Sequence, residues 1–232
     1  MAIPLYLAMT AAEFLAADPL PDQIAWMACH FSPYGTGITD PPPELPPKSL
    51  LILNDRTPVS GHDPQQICRQ LKEIAEANQC AGVLLDFQRP DCEQTRQIVK
   101  EALSLPFPVI VSDCYAKGLD CPVFVSPPPL HKPLEAYLSP WASRAIWLDA
   151  ALGHTDITVT AEGPTIQEFP AEETVGDFRD DSLCCHYHMQ ITDTQIVFSL
   201  QREPDDLQKL LEQAEHLNIC AAVGLYQELK GI

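Results

Sequence analysis

Short apolar runs alternate with polar stretches along the whole chain. The runs are 4–9 (PLYLAM), 24–31 (IAWMACHF), 49–54 (SLLILN), 81–87 (AGVLLDF), 108–113 (PVIVSD), 122–126 (PVFVS), 145–150 (AIWLDA), 195–200 (QIVFSL) and 220–226 (CAAVGLY). Near-continuous apolar runs of this length read as strands buried on both faces, the pattern of a parallel sheet covered by helices. The stretches between them carry helix signals. Residues 64–79 open with Pro64 behind Asp63, a first-turn proline behind a capping side chain, and Ile67, Leu71, Ile74 and Ala75 recur at helical spacing. Residues 91–104 repeat the arrangement with Asp91 as the cap, and 204–217 do so with Pro204 and two acids in the first turn. Thr10 and Glu13 have capping-box spacing. The N-terminal segment is therefore expected as a buried strand followed by a helix. A signal peptide is disfavoured, because a basic leading region is missing and Glu13 and Asp18 follow the apolar part closely.

Alternating strands and helices define the α/β class. For 232 residues read as a single domain, 1–232, the expectation is a TIM-type (β/α)8 barrel of minimal length. Nine candidate strands are one more than such a barrel needs, so either the first is a lid strand or one in the 145–200 region is peripheral. Residues 152–192 read as antiparallel hairpins with EGPT and TDT as turns, a late insertion. It forms either one wall of a cleft or a solvent-facing excursion. Residues 32–48 hold six prolines and two glycines, which predicts a rigid exposed loop.

Composition narrows the partners. Hydrophobic residues make up 46%, enough for a large core. Acids outnumber bases 32 to 14, for a formal net charge of −18. A surface this negative repels phosphate backbones and anionic lipid, so neither nucleic acid nor membrane is expected as a partner. No apolar run approaches the roughly 20 residues needed to span a bilayer. The nine cysteines are odd in number and irregular in spacing, with Cys29, Cys114 and Cys220 in or at the ends of apolar runs where Cys acts as a small hydrophobe. That usage points to a reducing, cytoplasmic setting.

The candidate chemistry centres on residues 81–90, Ala-Gly-Val-Leu-Leu-Asp-Phe-Gln-Arg-Pro. Strand alternation puts Leu84, Asp86 and Gln88 on one face and Val83, Leu85 and Phe87 on the other. The first set is expected to point into the barrel and its mouth, the second toward the helices. This strand resembles the fourth barrel strand of glycoside hydrolase family 18, the chitinase family, whose motif is D-G-x-D-x-D-W-E followed by an aromatic and a proline. Gly82, Asp86 and Pro90 match, and Phe87 stands for the tryptophan. Ala81 and Leu84 replace two acids, and Gln88 stands where the family has its proton-donating glutamate. The resemblance covers roughly residues 49–90. It implies a barrel that binds a glycan or related small-molecule ligand, with Asp86 orienting an acetamido or hydroxyl group. It also implies that Gln88, a neutral amide, hydrogen-bonds a sugar but cannot supply the proton that cleavage needs.

In a TIM barrel the working residues sit at the C-terminal ends of strands. Those ends carry His30, Asn54, Asp55, Asp86, Gln88, Arg89, Asp113, Tyr115, Asp149, Glu203 and Glu228, with Tyr34 in the loop after the second run. Asp86, Asp113 and Glu228 are the catalytic candidates. Gln88, Asp55, Tyr34, Tyr115 and Arg89 are the candidate ligand contacts. Three readings stay open: a family-18-like carbohydrate binder or hydrolase using another carboxylate, an unrelated hydrolase or lyase built on Asp55, Asp86 and Asp113 with or without a divalent metal, and a non-catalytic interaction protein. His186 and His188 share a strand face, but no partner motif accompanies them, so an exposed hairpin is expected there and no metal or other cofactor is assigned. No glycine-rich phosphate loop and no Gly-x-Ser-x-Gly elbow is present.

Overall fold

The computed structural model describes residues 3–90, 92–169 and 176–231. β1 (Leu5–Met9) leads through α1 (Ala11–Ala16) to β2 (Ile24–Phe31) and then to β3 (Ile38–Thr39) and β4 (Leu50–Asn54). Next come α2 (Pro64–Ala77), β5 (Gly82–Asp86), α3 (Glu93–Ala102), β6 (Val109–Ser112), α4 (Asp113–Ala116), β7 (Val123–Val125), α5 (Leu134–Leu138) and β8 (Ile146–Asp149). The insertion holds β9 (Gly153–Thr160), β10 (Gly163–Phe169), β11 (Phe178–Asp180), β12 (Cys185–Ile191) and β13 (Gln195–Arg202). The chain closes with α6 (Pro204–Gln213), β14 (Ile219–Leu225) and α7 (Tyr226–Leu229).

β1 pairs in parallel with both β2 and β14, so the ring β1-β2-β4-β5-β6-β7-β8-β14 is closed. This is an eight-stranded parallel barrel of the TIM type carrying a second sheet. Of the nine candidate strands, the first belongs to the ring and 195–200 is the peripheral one. As β13 it pairs antiparallel with β9 and β12. The insertion therefore runs past residue 192 to the end of β13. Its strands alternate polar and apolar positions because one face is open, whereas the ring strands are covered on both.

Local signals account for most helix starts. Thr10 and Glu13 form a reciprocal capping box, with Thr10 Oγ1 accepting from Glu13 N at 3.3 Å and Glu13 Oε2 accepting from Thr10 N at 2.8 Å. Asp63 caps α2, its Oδ1 accepting from Gln65 N at 3.2 Å. The cap expected from Asp91 lies outside the described residues, and Cys92 stands at the N-cap of α3. The proline-rich stretch 32–48 is more than an exposed loop. It replaces a helix between β2 and β4, because prolines at 41–43, 46 and 47 exclude helical hydrogen bonding. β3 pairs antiparallel with β2, Leu45 is buried, Trp26 Nε1 donates to the Asp40 carbonyl at 3.1 Å, and Leu45 N donates to Asn78 Oδ1 at 2.9 Å.

Two apolar layers form the core. Tyr6, Ala8, Ala25, Leu50, Ile52, Leu84, Ile110, Phe124, Ala221 and Val223 fill the lumen. Val83, Leu85 and Phe87 face outward, packed with Leu53, Ile67, Leu71 and Ile98 under the helices. Gly82 sits where β5 meets the chain entering β6: a Cβ there would lie 2.7 Å from the Pro108 carbonyl oxygen. The insertion is held to the barrel by Arg202, which is buried and donates to the carbonyls of Cys184, Pro128 and Leu183. The nine cysteines are free thiols. Cys29 is buried as expected of a small hydrophobe, but Cys114 and Cys220 are exposed. No helix among the described residues is long and apolar enough to cross a membrane.

Candidate functional site

The C-terminal mouth of the barrel holds a cavity of about 210 Å3. Its walls are Ala8, Met27, Ile52, Leu84, Phe124 and Val223, and its polar groups come from Asn54, Asp86 and Asp149. Asp86 ends β5 in register with Asn54 at the end of β4. The alternation along β5 places Leu84 and Asp86 in the lumen and Val83, Leu85 and Phe87 against the helices, as the sequence pattern predicts. Gln88 stands exposed on the rim above Asp86, and its Nε2 donates to Asp86 Oδ1 at 2.7 Å.

The electrostatics of this mouth are unusual. Burial pushes the Asp86 carboxyl above the usual carboxylate range; the Gln88 hydrogen bond opposes this, and the charges of Asp55 and Asp113 add to it. Asp149 is pushed up to about 7, first by burial and then by the charges of Asp86 and Glu228. Two carboxyls in one apolar pocket disfavour double ionisation, so Asp149 keeps its proton to near neutrality. A protonated acid beside a second carboxyl is the raw material of general acid–base chemistry.

The other expected site residues divide clearly. Asp55 is buried and turns to the next loop: Oδ1 accepts from Gln88 N at 3.0 Å and Oδ2 from Arg89 N at 2.8 Å. Arg89 returns the contact, donating from Nε to the Asp55 carbonyl at 2.6 Å and from Nη2 to the Arg56 carbonyl at 2.7 Å. Together these two side chains clip the β5 loop to the β4 loop. The charges of Asp55 and Asp113 both act on Asp86, and each carboxylate oxygen of Asp55 is engaged by a backbone amide of the β5 loop. Asp113 opens α4 at the mouth, half-buried, and is absent from the cavity wall. Tyr115 is buried behind the loop, with its hydroxyl donating to the Arg89 and Pro90 carbonyls at 3.0 and 3.2 Å. Tyr34 is 86% exposed and lies outside the cavity. Glu228, in α7, lies near enough to raise Asp149, and its Oε2 is shielded from solvent without a hydrogen-bond partner. Phe124 is the aromatic ring on the cavity wall, and Trp147 packs on Tyr6 in the lumen core at 5.5 Å.

Asp149 is the residue that sequence reasoning undervalued. The run Ala-Ile-Trp-Leu-Asp-Ala carries an acid next to last, as Ala-Gly-Val-Leu-Leu-Asp-Phe does, and the same alternation puts it in the lumen. His186 and His188 face different carboxylates. His186 Nδ1 lies 2.9 Å from Asp206 Oδ2, and His188 Nδ1 lies 2.5 Å from Asp177 Oδ2. Among the described residues, His186, Glu203 and Asp206 have ligand atoms spaced for a metal. The Arg179 guanidinium, 2.9 Å from Asp206 Oδ1, already supplies the cation, and Asp206 Oδ2 accepts from Glu203 N at 3.2 Å to cap α6.

Comparison with solved structures gives the class of fold. The chain is similar to the Bacillus cereus spore cortex-lytic enzyme SleL, with a TM-score of 0.58 and 10% identity over 96% of this chain and 70% of that one. It is similar also to the Bacillus megaterium QM B1551 spore cortex-lytic enzyme SleL, with a TM-score of 0.52 and 7% identity over the same shares. No family model matches the chain, and no curated protein does.

Proposed function

We propose that this barrel binds a carbohydrate at its mouth, with Asp86 contacting the sugar's acetamido or hydroxyl groups. The observation that carries the reading is the Gln88–Asp86 pair standing over a lumenal pocket that Asp149 shares. The resemblance of strand 81–90 to the family-18 motif and the likeness to two spore cortex-lytic barrels support it. The pocket is smaller than the roughly 300–1,000 Å3 of drug-sized ligand sites, which suits a single ring or a chain end. An apolar wall and a few fixed polar groups recognise a pyranose through its CH faces and hydroxyls.

A second reading is favoured by the proton that Asp149 retains. In it the barrel is a hydrolase: Asp149 protonates the glycosidic oxygen as the bond to the anomeric carbon breaks, and Asp86 takes a proton from the incoming water. That route bypasses Gln88, which has no proton to give. Thermal shift against a panel of amino-sugar oligomers and neutral sugars tests the first reading. A rise in Tm with an amino sugar that Asp86→Asn abolishes supports it; no rise with any sugar contradicts it. Release of reducing ends, lost in Asp149→Asn, separates the hydrolase from the binder.

A further inference from the structure

On the outside of the barrel, between α3 and α4, lies a second cavity of about 400 Å3, separate from the mouth. Val99, Leu119 and Tyr115 give it an apolar side, and Arg96, Lys100 and Lys117 line it with positive charge. Among the described residues, no carboxylate lines it. In a chain with 32 acids and 14 bases, three of the bases meet at one concavity. The molecule's overall field repels anions, so a positive hollow is a local reversal of that field. Cys114, also on the wall, adds no negative charge: the partial burial of its thiol raises its pKa, the Ser112 hydrogen bond opposes this, and the charge of Asp113 adds to the rise.

We propose that this pocket binds a small organic or inorganic polyanion, a molecule bearing phosphate or several carboxylate groups. Lys100 and Lys117 are its principal charge contacts, and Tyr115 and Leu119 pack against its uncharged part. The volume falls within the range of small-molecule sites, and flexible ammonium groups suit oxyanions of either chemistry as point charges. This site is independent of the sugar reading of the mouth. Its back wall does meet that region: Cys114 Sγ donates to the Phe87 carbonyl at 2.8 Å, and Tyr115 bonds the carbonyls after Gln88.

The test uses the full chain. Tm and calorimetric titration are followed with inorganic pyrophosphate, with citrate, and with sodium chloride at matched ionic strength. The expected result is saturable binding of pyrophosphate or citrate beyond the chloride effect. The stronger of the two identifies phosphate or carboxylate as the recognised group. Lys100→Gln and Lys117→Gln should each weaken it about two- to fivefold, as for loss of one exposed charge contact. Lys48→Gln, outside the pocket, should leave it unchanged. Both lysines are exposed, so either single variant is expected to fold, and each is read separately. A shift no larger than that of chloride overturns the proposal, as does binding that neither lysine change weakens.

Discussion

The side-chain amide of Gln88 donates to Asp86 Oδ1 at 2.7 Å, so a neutral side chain two residues on orients the carboxylate that ends β5. That hydrogen bond stabilises the ionised form of Asp86 against the burial that raises its pKa. Replacing Gln88 by glutamate removes the N–H and sets a second carboxyl beside the first. Gln88→Glu should therefore raise the Asp86 pKa further, which NMR titration of the Asp86 carboxyl would read. If the strand is a decayed chitinase strand, the same change should create measurable cleavage of amino-sugar oligomers.

Asp149 gives the stability curve a sign. Its folded pKa of about 7 lies above that of an unfolded aspartate, near 3.9. The folded state binds the proton more tightly, so this contribution is fully present below about pH 4 and is lost as pH rises to about 7. Asp149→Asn should flatten the stability profile over that window. It should stabilise the protein above pH 7 by on the order of 1–4 kcal/mol, read from urea midpoints across pH. Any hydrolytic rate that uses Asp149 as the acid should fall as pH rises past 7, and the Asn variant should lose it.

Asp55 should behave as a structural residue. Asp55→Ala leaves the Gln88 and Arg89 backbone amides without their acceptor, while the Arg89 side chain keeps its bonds to the Asp55 and Arg56 carbonyls. The expected cost is about 1–3 kcal/mol of stability. Sugar binding should weaken only as far as the β5 loop loosens. A loss of binding with no loss of stability would instead make Asp55 a ligand contact.

Gly82→Ala tests the strand itself. The added methyl would meet the Pro108 carbonyl at 2.7 Å, a backbone atom that cannot step aside. Overpacking of this kind costs about 1–3 kcal/mol, measurable by thermal or urea unfolding. An unchanged Tm would mean that β5 and the segment entering β6 sit further apart.

Much of the barrel is legible in the sequence because its strands are buried on both sides and its helices carry their own caps. Thr10 with Glu13, Asp63 with Pro64, and Pro204 all mark helix starts that form. The alternation of Leu84 and Asp86 against Val83, Leu85 and Phe87 correctly separates lumen from helix layer, and Gln88 stands exposed on the rim. What is not legible is which of several strand-end polar side chains turn inward. Asp55 follows the last residue of β4 and Asp86 ends the neighbouring β5, two acids of the same chemistry, yet backbone amides of the next loop capture the first. Asp149 looks no different from them in sequence; only the closing of the ring sets it in the pocket with Asp86. The proline strap and the assignment of 195–200 to the insertion are likewise tertiary outcomes: the run Gln-Ile-Val-Phe-Ser-Leu fits either sheet by pattern, and antiparallel pairing with β9 decides it.

The central claim is that Asp86 is a sugar contact at the barrel mouth. Isothermal titration of the native chain and of Asp86→Ala with the same amino-sugar oligomer tests it most directly. Saturable heat from the native chain, absent in a variant that still unfolds cooperatively, is the predicted result. Equal binding by both proteins, or no binding by the native chain, would contradict it.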